Sequence, residues 1–231
     1  MPDPQGVLNT YGDRFAPTTP GFGADISSQR LDALDEAALA YAWTLASEDR
    51  GCPGVCVDLG CGRGEMGARF AELGLDTLLL DILPREHTVL ASGPRPHLEY
   101  LGKNVRQVCA SDLPRPVDLL YSQRFIHYLR YEEARQVLKL FRSRMPFGAK
   151  LFLSASGLDS ELSEGYCGKH FPAQSRFTVL SPAMQERHGI SSPVCLYRES
   201  ELTFLCEECG FEVDRSFISS FGNVKTCCRA N

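Results

Sequence analysis

The feature that most constrains the fold is a glycine-rich turn in the stretch VCVDLGCGRGEMG, residues 55–67. The apolar run Val55–Leu59 before the turn predicts a short buried strand, and the spacing after it predicts a helix over Glu65–Leu73. The alternating glycines allow the backbone to turn sharply and let a ligand approach it closely. The stretch therefore predicts a strand–turn–helix unit at a ligand site.

Strand-like and helical segments alternate along most of the chain. Besides the first strand, the predicted elements are strands at Thr77–Asp81, Val105–Ala110, Val117–Ser122 and Lys150–Ala155, and helices at residues 31–48, Glu65–Leu73, Tyr131–Met145 and Glu199–Cys209. Near-continuous apolar strands separated by helices indicate a parallel sheet covered on both faces. The last two predicted strands, Phe211–Ile218 and Asn223–Arg229, are joined by the short link SSFG, which favours an antiparallel hairpin. We therefore predict a three-layer αβα sandwich whose mixed sheet has seven strands, the last of them antiparallel.

Composition narrows the class of protein. A chain of 231 residues with 43% hydrophobic composition fits one α/β domain with an embellishment. It contains no apolar run long enough to span a membrane, and its first residues lack the basic and apolar regions of a signal peptide, so we expect a cytoplasmic location. The net charge of -5, with no block of like charge, gives no broad signal for nucleic acid.

Two segments lack periodicity and set the domain organisation. Residues 1–30 are rich in Gly, Pro and Thr and are interpreted as an N-terminal arm or lid, with Tyr11 and Arg14 as lid candidates. Residues 31–231 form the predicted domain. Within it, residues 158–196 carry Gly, Pro, Ser, His and aromatics without a clear period, and so long a segment is usually a functional loop.

The glycine turn satisfies two cofactor patterns at once. Gly62–Gly67 matches the dinucleotide pattern G-x-G-x-x-G, whereas Asp58–Gly64 is an acid followed by three alternating glycines. Both patterns expect an acid at the end of the second strand, where Asp81 lies. Carboxylates at Asp58 and Glu65, close to the helix N-terminus, would repel a pyrophosphate. S-adenosylmethionine has no phosphate and carries an ammonium and a sulfonium, so these acids favour it.

The motifs after the turn carry a resemblance to a known family. VDLGCGRG resembles the first motif of the class I, Rossmann-like, S-adenosylmethionine-dependent methyltransferases. The order of strands, the acid after the second strand, ASDLP, DLLYSQRFIHYL and the terminal hairpin are similar to that family as well. The resemblance covers most of residues 31–231 and implies a Rossmann-like fold and S-adenosylmethionine as cofactor.

The resemblance also implies roles for individual residues. Asp58 would organise the turn and attract the methionine ammonium, Asp81 would accept both ribose hydroxyls, and Asp112 would sit at the adenine. The implied cofactor-binding residues are Asp58, Gly60, Cys61, Gly62, Gly64, Asp81, Ile82, Ser111, Asp112, Leu113 and Ser122. The alternatives are a helix N-cap for Asp81 and a turn residue for Asp112.

The residues that act on the methyl acceptor are harder to identify from the sequence, since many methyl transfers need no strong base. His127 follows the fourth strand and is a candidate general base or a ligand of the methionine carboxylate; the alternative is a packed histidine whose nitrogens bond to backbone. The insert 158–196 would cover the acceptor pocket. It supplies a second catalytic candidate, His170. The substrate-binding candidates are Arg124, Tyr166 and Arg176.

The ten cysteines raise the question of a metal site. Cys206 and Cys209 form C-x-x-C inside a predicted helix, and Cys227 and Cys228 are adjacent in a strand, so they point to opposite faces. We therefore expect reduced core thiols and no metal.

The prediction for function is an S-adenosylmethionine-dependent methyltransferase that transfers a methyl group in line to a small molecule. Nucleic acid and protein acceptors, and the oligomeric state, stay open. Two alternatives remain: an NAD(P)-dependent oxidoreductase, and a non-catalytic module that binds S-adenosylmethionine and regulates a partner.

Overall fold

The computed structural model describes residues 31–231 and the segment 21–23. It also describes the backbone of two short strands, Val7–Leu8 and Arg14–Phe15, which pair in antiparallel. From residue 31 onward the chain builds one sheet of seven strands.

The sheet has the predicted mixed topology. Numbered along the chain, its strands are β1 (Val55–Leu59), β2 (Asp76–Asp81), β3 (Leu98–Gly102), β4 (Leu119–Ser122), β5 (Lys150–Ala155), β6 (Phe211–Ile218) and β7 (Val224–Ala230). Their spatial order is β3-β2-β1-β4-β5-β7-β6. Neighbouring strands are parallel except for β7, which is antiparallel to both β5 and β6. The prediction of an antiparallel last strand is confirmed.

Helices cover both faces of the sheet. They are α1 (Ala33–Ser47), α2 (Glu65–Glu72), α3 (Tyr131–Arg142), α4 (Pro182–His188) and α5 (Glu199–Glu208). One core cluster joins α1 and α2 to one sheet face, and a larger cluster joins α3 and α5 to the other. The three-layer sandwich is confirmed. No helix in the part of the chain that the structure describes is long and apolar enough to cross a membrane.

The position of α1 is fixed at both of its ends. Asp32 caps the helix: its Oδ1 accepts from Leu34 N–H at 2.8 Å, and Asp35 Oδ2 accepts from Asp32 N–H at 2.8 Å. After the helix, the Arg50 guanidinium donates to Asp118 Oδ1 at 2.9 Å, immediately before β4. Helix α1 therefore runs antiparallel to β4, and its N-terminus lies at the carboxyl edge of the sheet.

The third strand was predicted in the wrong place. The sequence favoured Val105–Ala110, but β3 is Leu98–Gly102, and Val105–Gln107 forms only a single 3-10 turn. The reason is that β3 is an edge strand with Glu99 exposed, so it lacks the continuous apolar run of the inner strands. Val105 is apolar because it packs into the core from a turn.

The insert 158–196 is more ordered than its composition suggested. It contains α4, which was not predicted, and a hydrophobic cluster of its own that includes Tyr166, Met184 and Val194. Leu158 N–H donates to the Tyr197 carbonyl at 3.0 Å, so the insert leaves and rejoins the domain at one point beside the end of β5.

The described part of the N-terminal arm contacts this insert. Gly23 N–H donates to the Gly189 carbonyl at 3.0 Å, and the Tyr128 hydroxyl donates to the Phe22 carbonyl at 2.7 Å. The lid candidate Tyr11 lies outside the described residues, and Arg14 lies in a strand described at the backbone alone.

Candidate active site

The glycine turn lies at the carboxyl edge of the sheet, between β1 and α2. All three glycines have positive φ, at 68° for Gly60, 54° for Gly62 and 84° for Gly64, a region that side chains disfavour. The Phe125 ring also packs on Gly60 so closely that an added Cβ would lie 2.1 Å from its Cγ. Two amides of the turn donate to the Leu80 carbonyl at 2.8 and 3.2 Å, which ties the turn to β2.

Asp58 is buried beneath the turn and reaches the first turn of α2. Its side chain is almost fully buried, and its Oδ2 accepts from Gly67 N–H at 2.9 Å. Gly67 leaves room for this contact, because a Cβ there would lie 2.2 Å from Leu79 Cδ2 and 3.1 Å from Asp58 Oδ2. The carboxylate thus occupies a helix amide that a phosphate would otherwise use.

Asp81 ends β2 beside the glycine turn. Its Oδ2 accepts from Gly62 N–H at 2.8 Å, and its Oδ1 accepts from Leu83 N–H at 2.9 Å. The carboxylate is only partly buried, so it lies within reach of a ligand at this edge of the sheet. Ile82 next to it is 47% exposed, whereas Cys61 of the turn is buried. A carboxylate and an exposed apolar side chain therefore lie side by side.

Asp112 lies in the turn that follows β3, with Ser111 exposed before it and Leu113 buried after it. Its Oδ2 accepts from Lys103 Nζ at 2.7 Å and from Cys109 N–H at 2.8 Å. These hydrogen bonds, led by that from Lys103, hold the pKa of Asp112 well below its usual range. The carboxylate is therefore ionised and stabilises its own turn, in agreement with the alternative interpretation of Asp112 as a turn residue.

Ser122 and Arg124 follow directly at the end of β4. The Ser122 hydroxyl is fully buried and has no hydrogen-bond partner among the residues described. Arg124 has a φ of 52°, which is uncommon for a side chain of this size, and its amide donates to the Ser154 carbonyl at 3.1 Å. Such strained residues cluster at functional sites.

His127 is buried under the same turn. Its side chain is 2% exposed, its Nδ1 accepts from Ser156 N–H at 3.4 Å, and its carbonyl accepts from Cys195 N–H at 2.8 Å. Burial, with the nearby Arg124 charge, lowers the pKa of His127 to about 3. The ring is therefore neutral at pH 7 and makes the backbone contact expected of a packed histidine.

The low pKa of His127 predicts a pH dependence of stability. The unfolded chain binds a proton near pH 6.5 and the folded chain near pH 3, so stability from this group is present above pH 6.5 and lost as the pH falls. The wild type should lose free energy of unfolding when the pH falls from 7.5 to 5.0. We expect His127→Gln to make that loss smaller by about 2 kcal/mol. Urea unfolding at both pH values measures it. His87→Gln, at an exposed histidine, serves as control and should leave the wild-type difference intact.

Tyr166 and Arg176 lie inside the insert and bond to its own backbone. The single Tyr166 hydroxyl proton is shared between the Arg176 carbonyl and the Val194 carbonyl, which lies 2.7 Å away. The Arg176 side chain is fully buried, and its guanidinium donates to Glu201 of α5 and to the Phe171 carbonyl. Tyr166 thus holds the insert together and Arg176 fixes it to α5, so the polar atoms of both side chains are bonded within the protein.

His170 lies far from the glycine turn. It lines an open groove of about 720 Å³ together with Lys169, Arg198 and Ser216 of β6. Four strand spacings separate β1 from β6 in the sheet, a distance of about 19 Å. The structure therefore does not bring His170 together with the residues predicted to bind the cofactor.

The predicted cofactor residues, in contrast, lie at the carboxyl edge of the sheet, the place where open α/β sheets form their ligand crevice. They follow β1, β2, β3 and β4 at the carboxyl edge, and the chain order of strands reverses between β1 and β4. Ligands of open α/β sheets bind at such a switch point. The sequence did not single out Phe125 or Lys103. Phe125 packs on Gly60, far away in sequence, and Lys103 pairs with Asp112 across an intervening turn, and neither contact has a local motif. The cysteines Cys206, Cys209 and Cys228 lie in the core, as expected.

The similarity of this chain to known proteins lies in its fold. No protein-family model matches the sequence, and no curated protein matches it. Among solved structures, a 1,6-didemethyltoxoflavin-N1-methyltransferase from Burkholderia thailandensis, with bound 1,6-didemethyltoxoflavin and S-adenosylhomocysteine, matches at TM-score 0.57 and 18% identity over 85% of this chain and 80% of that one. A SAM-dependent methyltransferase from Methanosarcina mazei matches at TM-score 0.59 and 19% identity, covering 77% and 92% of the two chains.

A third match is the magnesium protoporphyrin IX methyltransferase of Synechocystis with bound S-adenosylhomocysteine, at TM-score 0.57 and 14% identity over 87% of this chain and 89% of that one. These likenesses rest on the fold, since the identities are low. The chain has the class I, Rossmann-like fold of S-adenosylmethionine-dependent methyltransferases.

Proposed function

We propose that the protein is an S-adenosylmethionine-dependent methyltransferase that acts on a small molecule. The observation that carries the proposal is the convergence of the glycine turn, Asp81, Ile82 and Ser122 on one crevice at the switch point of the sheet. The fold it shares with methyltransferases supports the same conclusion.

The polar groups of the crevice suit this cofactor better than a dinucleotide. Asp58 already accepts the Gly67 amide of α2, and its carboxylate beneath the helix N-terminus opposes a pyrophosphate there. The same negative charge attracts an ammonium. This favours S-adenosylmethionine over NAD(P), and hence a transferase over an oxidoreductase.

Each part of the crevice has a task in this proposal. The bound cofactor supplies a methyl group on a positively charged sulfur. Asp81, which its two backbone contacts hold in place, binds the ribose hydroxyls, and Ile82 packs against the adenine. The unpartnered Ser122 hydroxyl borders the methionine portion. The insert, which the arm contacts at Gly189, would limit the access of water to the reacting sulfur, while Asp32 stays open to solvent.

The small-molecule acceptor is supported by what surrounds the crevice. The charge of -5 offers no extended basic surface for nucleic acid. Two of the structural neighbours are named for small acceptors, a toxoflavin precursor and magnesium protoporphyrin IX.

Calorimetry followed by a product assay tests the proposal. We expect the protein to bind S-adenosylmethionine and not NAD(P), and to release S-adenosylhomocysteine when a metabolite fraction of a cell extract is added. Mass spectrometry of that fraction then identifies a product heavier by one CH2 group. Binding of NAD(P) alone would establish the oxidoreductase instead, and cofactor binding without any methylated product would indicate the non-catalytic module.

A further inference from the structure

A buried polar network lies beside the crevice, on the α1 face of the sheet. We call it the α1–β7 network; it consists of Asp32, Asp35, Tyr121, Gln123 and Lys225. Its members come from the start of α1, from β4 and the turn after it, and from β7. Four of the five are at most 8% exposed, whereas the Asp32 side chain is 40% exposed.

The network is continuous from Lys225 to the start of α1. Lys225 Nζ donates to Gln123 Oε1 at 2.9 Å and to Asp32 Oδ2. Gln123 Nε2 donates to Asp35 Oδ1 at 2.7 Å, and the Tyr121 hydroxyl donates to the same oxygen at 2.5 Å. Through the amide of Gln123, the lysine and both carboxylates are held in one arrangement.

Burial of such a network in a protein core is energetically unfavourable. Burial lowers the pKa of Lys225 and raises the pKa of Asp35, which shows that each charge is disfavoured where it lies. Apolar side chains of similar volume are often as stabilising as a buried ion pair, or more so. The network is therefore better explained by what it positions than by the stability it adds.

The network reaches the acceptor side of the crevice. Gln123 lies between Ser122 and Arg124 in the turn after β4, and α1 begins at the carboxyl edge of the sheet. Asp32, at that edge, is the one member with substantial exposure. Its Oδ2 accepts from Lys225 and, at 3.2 Å, from Gln123, whereas its Oδ1 accepts from the Leu34 amide. This exposed carboxylate therefore keeps an acceptor lone pair on Oδ1 at the edge where a methyl acceptor would enter.

An unsatisfied hydroxyl in the same place gives an independent indication of a ligand. Ser154 of β5 pairs directly with Lys225 of β7, so the two side chains share one face of the sheet. The Ser154 hydroxyl is fully buried and has no hydrogen-bond partner in the described residues. Buried polar groups in proteins usually have a hydrogen-bond partner, and a bound ligand would supply the one that Ser154 lacks.

We propose that Asp32 binds and orients the methyl acceptor, by accepting a hydrogen bond from an N–H or O–H group of an uncharged or cationic small molecule. Lys225 acts as a positioning residue through its ion pair with Asp32. This inference rests on the proposed methyltransferase function and names the chemical class of its acceptor. An anionic acceptor without such a donor would be repelled.

The electrostatics agree with a hydrogen-bond acceptor. Although partial burial alone would raise it, the Lys225 ammonium holds the pKa of Asp32 below its usual value, so the carboxylate is ionised at neutral pH. In the transfer, the acceptor's lone pair bonds to the methyl carbon while the carbon–sulfur bond breaks with its electrons to sulfur. The proton lost by the acceptor passes to water, to which Asp32 is open.

Asp32→Asn is the decisive variant, since asparagine also caps helices well and keeps the start of α1. With the acceptor fraction that the wild type methylates, we expect kcat/KM to fall by about 100-fold, as when one preorganised polar contact is removed from an active site. The Kd for S-adenosylmethionine should stay within about twofold of wild type, a change of less than 1 kcal/mol.

Lys225→Met removes the ammonium and keeps an apolar stem. We expect it to raise KM for the acceptor, and the double variant to lose no more than Asp32→Asn alone, because the lysine acts through Asp32. The matched control is Asp214→Asn, which removes an Asp–Lys pair with Lys150, 2.7 Å apart, at the opposite edge of the sheet. Its kinetics should equal those of the wild type.

The outcomes separate the two proposals. Wild-type kcat/KM in Asp32→Asn, or a methylated product whose acceptor carries no N–H or O–H group, would overturn the inference and leave the transferase intact. An equal loss of cofactor binding and transfer in Asp32→Asn would also overturn it, since that indicates a purely structural role. Absence of any transfer by the wild type would overturn the proposed function itself.

Discussion

Replacement of Asp81 by asparagine should weaken S-adenosylmethionine binding by about 100-fold, since each hydrogen bond to a charged group contributes about 1.5–3 kcal/mol. The carboxylate is held by hydrogen bonds from Gly62 N–H at 2.8 Å and from Leu83 N–H at 2.9 Å, and it would bind the ribose hydroxyls from this position. Asparagine keeps one acceptor oxygen and places an NH2 group where a second acceptor is needed. Titration calorimetry measures the change in Kd.

Asp76→Asn is the matched control for this prediction. Asp76 begins the strand that Asp81 ends, is exposed, and contacts His97 Nδ1 at 2.7 Å. It lies at the opposite edge of the sheet, so cofactor affinity should not change. A Kd for Asp81→Asn within about threefold of wild type, under 1 kcal/mol, would show that the carboxylate serves only the glycine turn.

Arg176→Met should lower the free energy of unfolding by about 3–5 kcal/mol, the usual result of removing one partner from a buried ion pair. The Arg176 side chain is fully buried, and its guanidinium donates to both Glu201 oxygens and to the carbonyls of Phe171 and Leu196. Methionine fills part of the space but removes the Arg176 donors from both carbonyls and leaves Glu201 with Arg198 as its cation. Urea unfolding followed by circular dichroism measures the loss.

Arg198→Met tests whether burial causes the effect. Arg198 donates to the same Glu201 at 3.0 Å, but its side chain is 53% exposed. Exposed pairs of this kind contribute less than about 1 kcal/mol. If both variants lose the same small amount, Arg176 does not anchor the insert and is again open to a role in substrate binding.

The parallel part of the fold was predictable because its signals are local. The buried strands β1, β2, β4 and β5 are mostly apolar over their length, and β7 follows β6 after too short a link for anything but a hairpin. The edge strand β3 was misplaced because one of its sides is not covered by a neighbouring strand. Its alternation of Leu98, Glu99 and Tyr100 carries a weaker signal than the apolar turn that follows it.

The cofactor side of the site was predictable for a similar reason, whereas the acceptor side was not. Asp58 and Asp81 lie within strands whose ends the sequence locates. Tyr166 and Arg176 have the chemistry of ligand-binding residues, but side-chain chemistry does not say whether the partner is a ligand or the chain's own backbone. Gln123 and Lys225 meet across 102 residues of sequence, a contact that no motif announces.

The closed base of the insert has a consequence for how such a protein can diversify. Since the chain enters and leaves residues 158–196 at adjacent points, next to the Gly157–Tyr197 bridge, the path from β5 to α5 does not depend on the length between them. The cost of closing a loop rises only slowly with its length. The segment can therefore be exchanged or shortened without a change in the cofactor crevice, provided that the replacement supplies a cationic side chain to pair with Glu201.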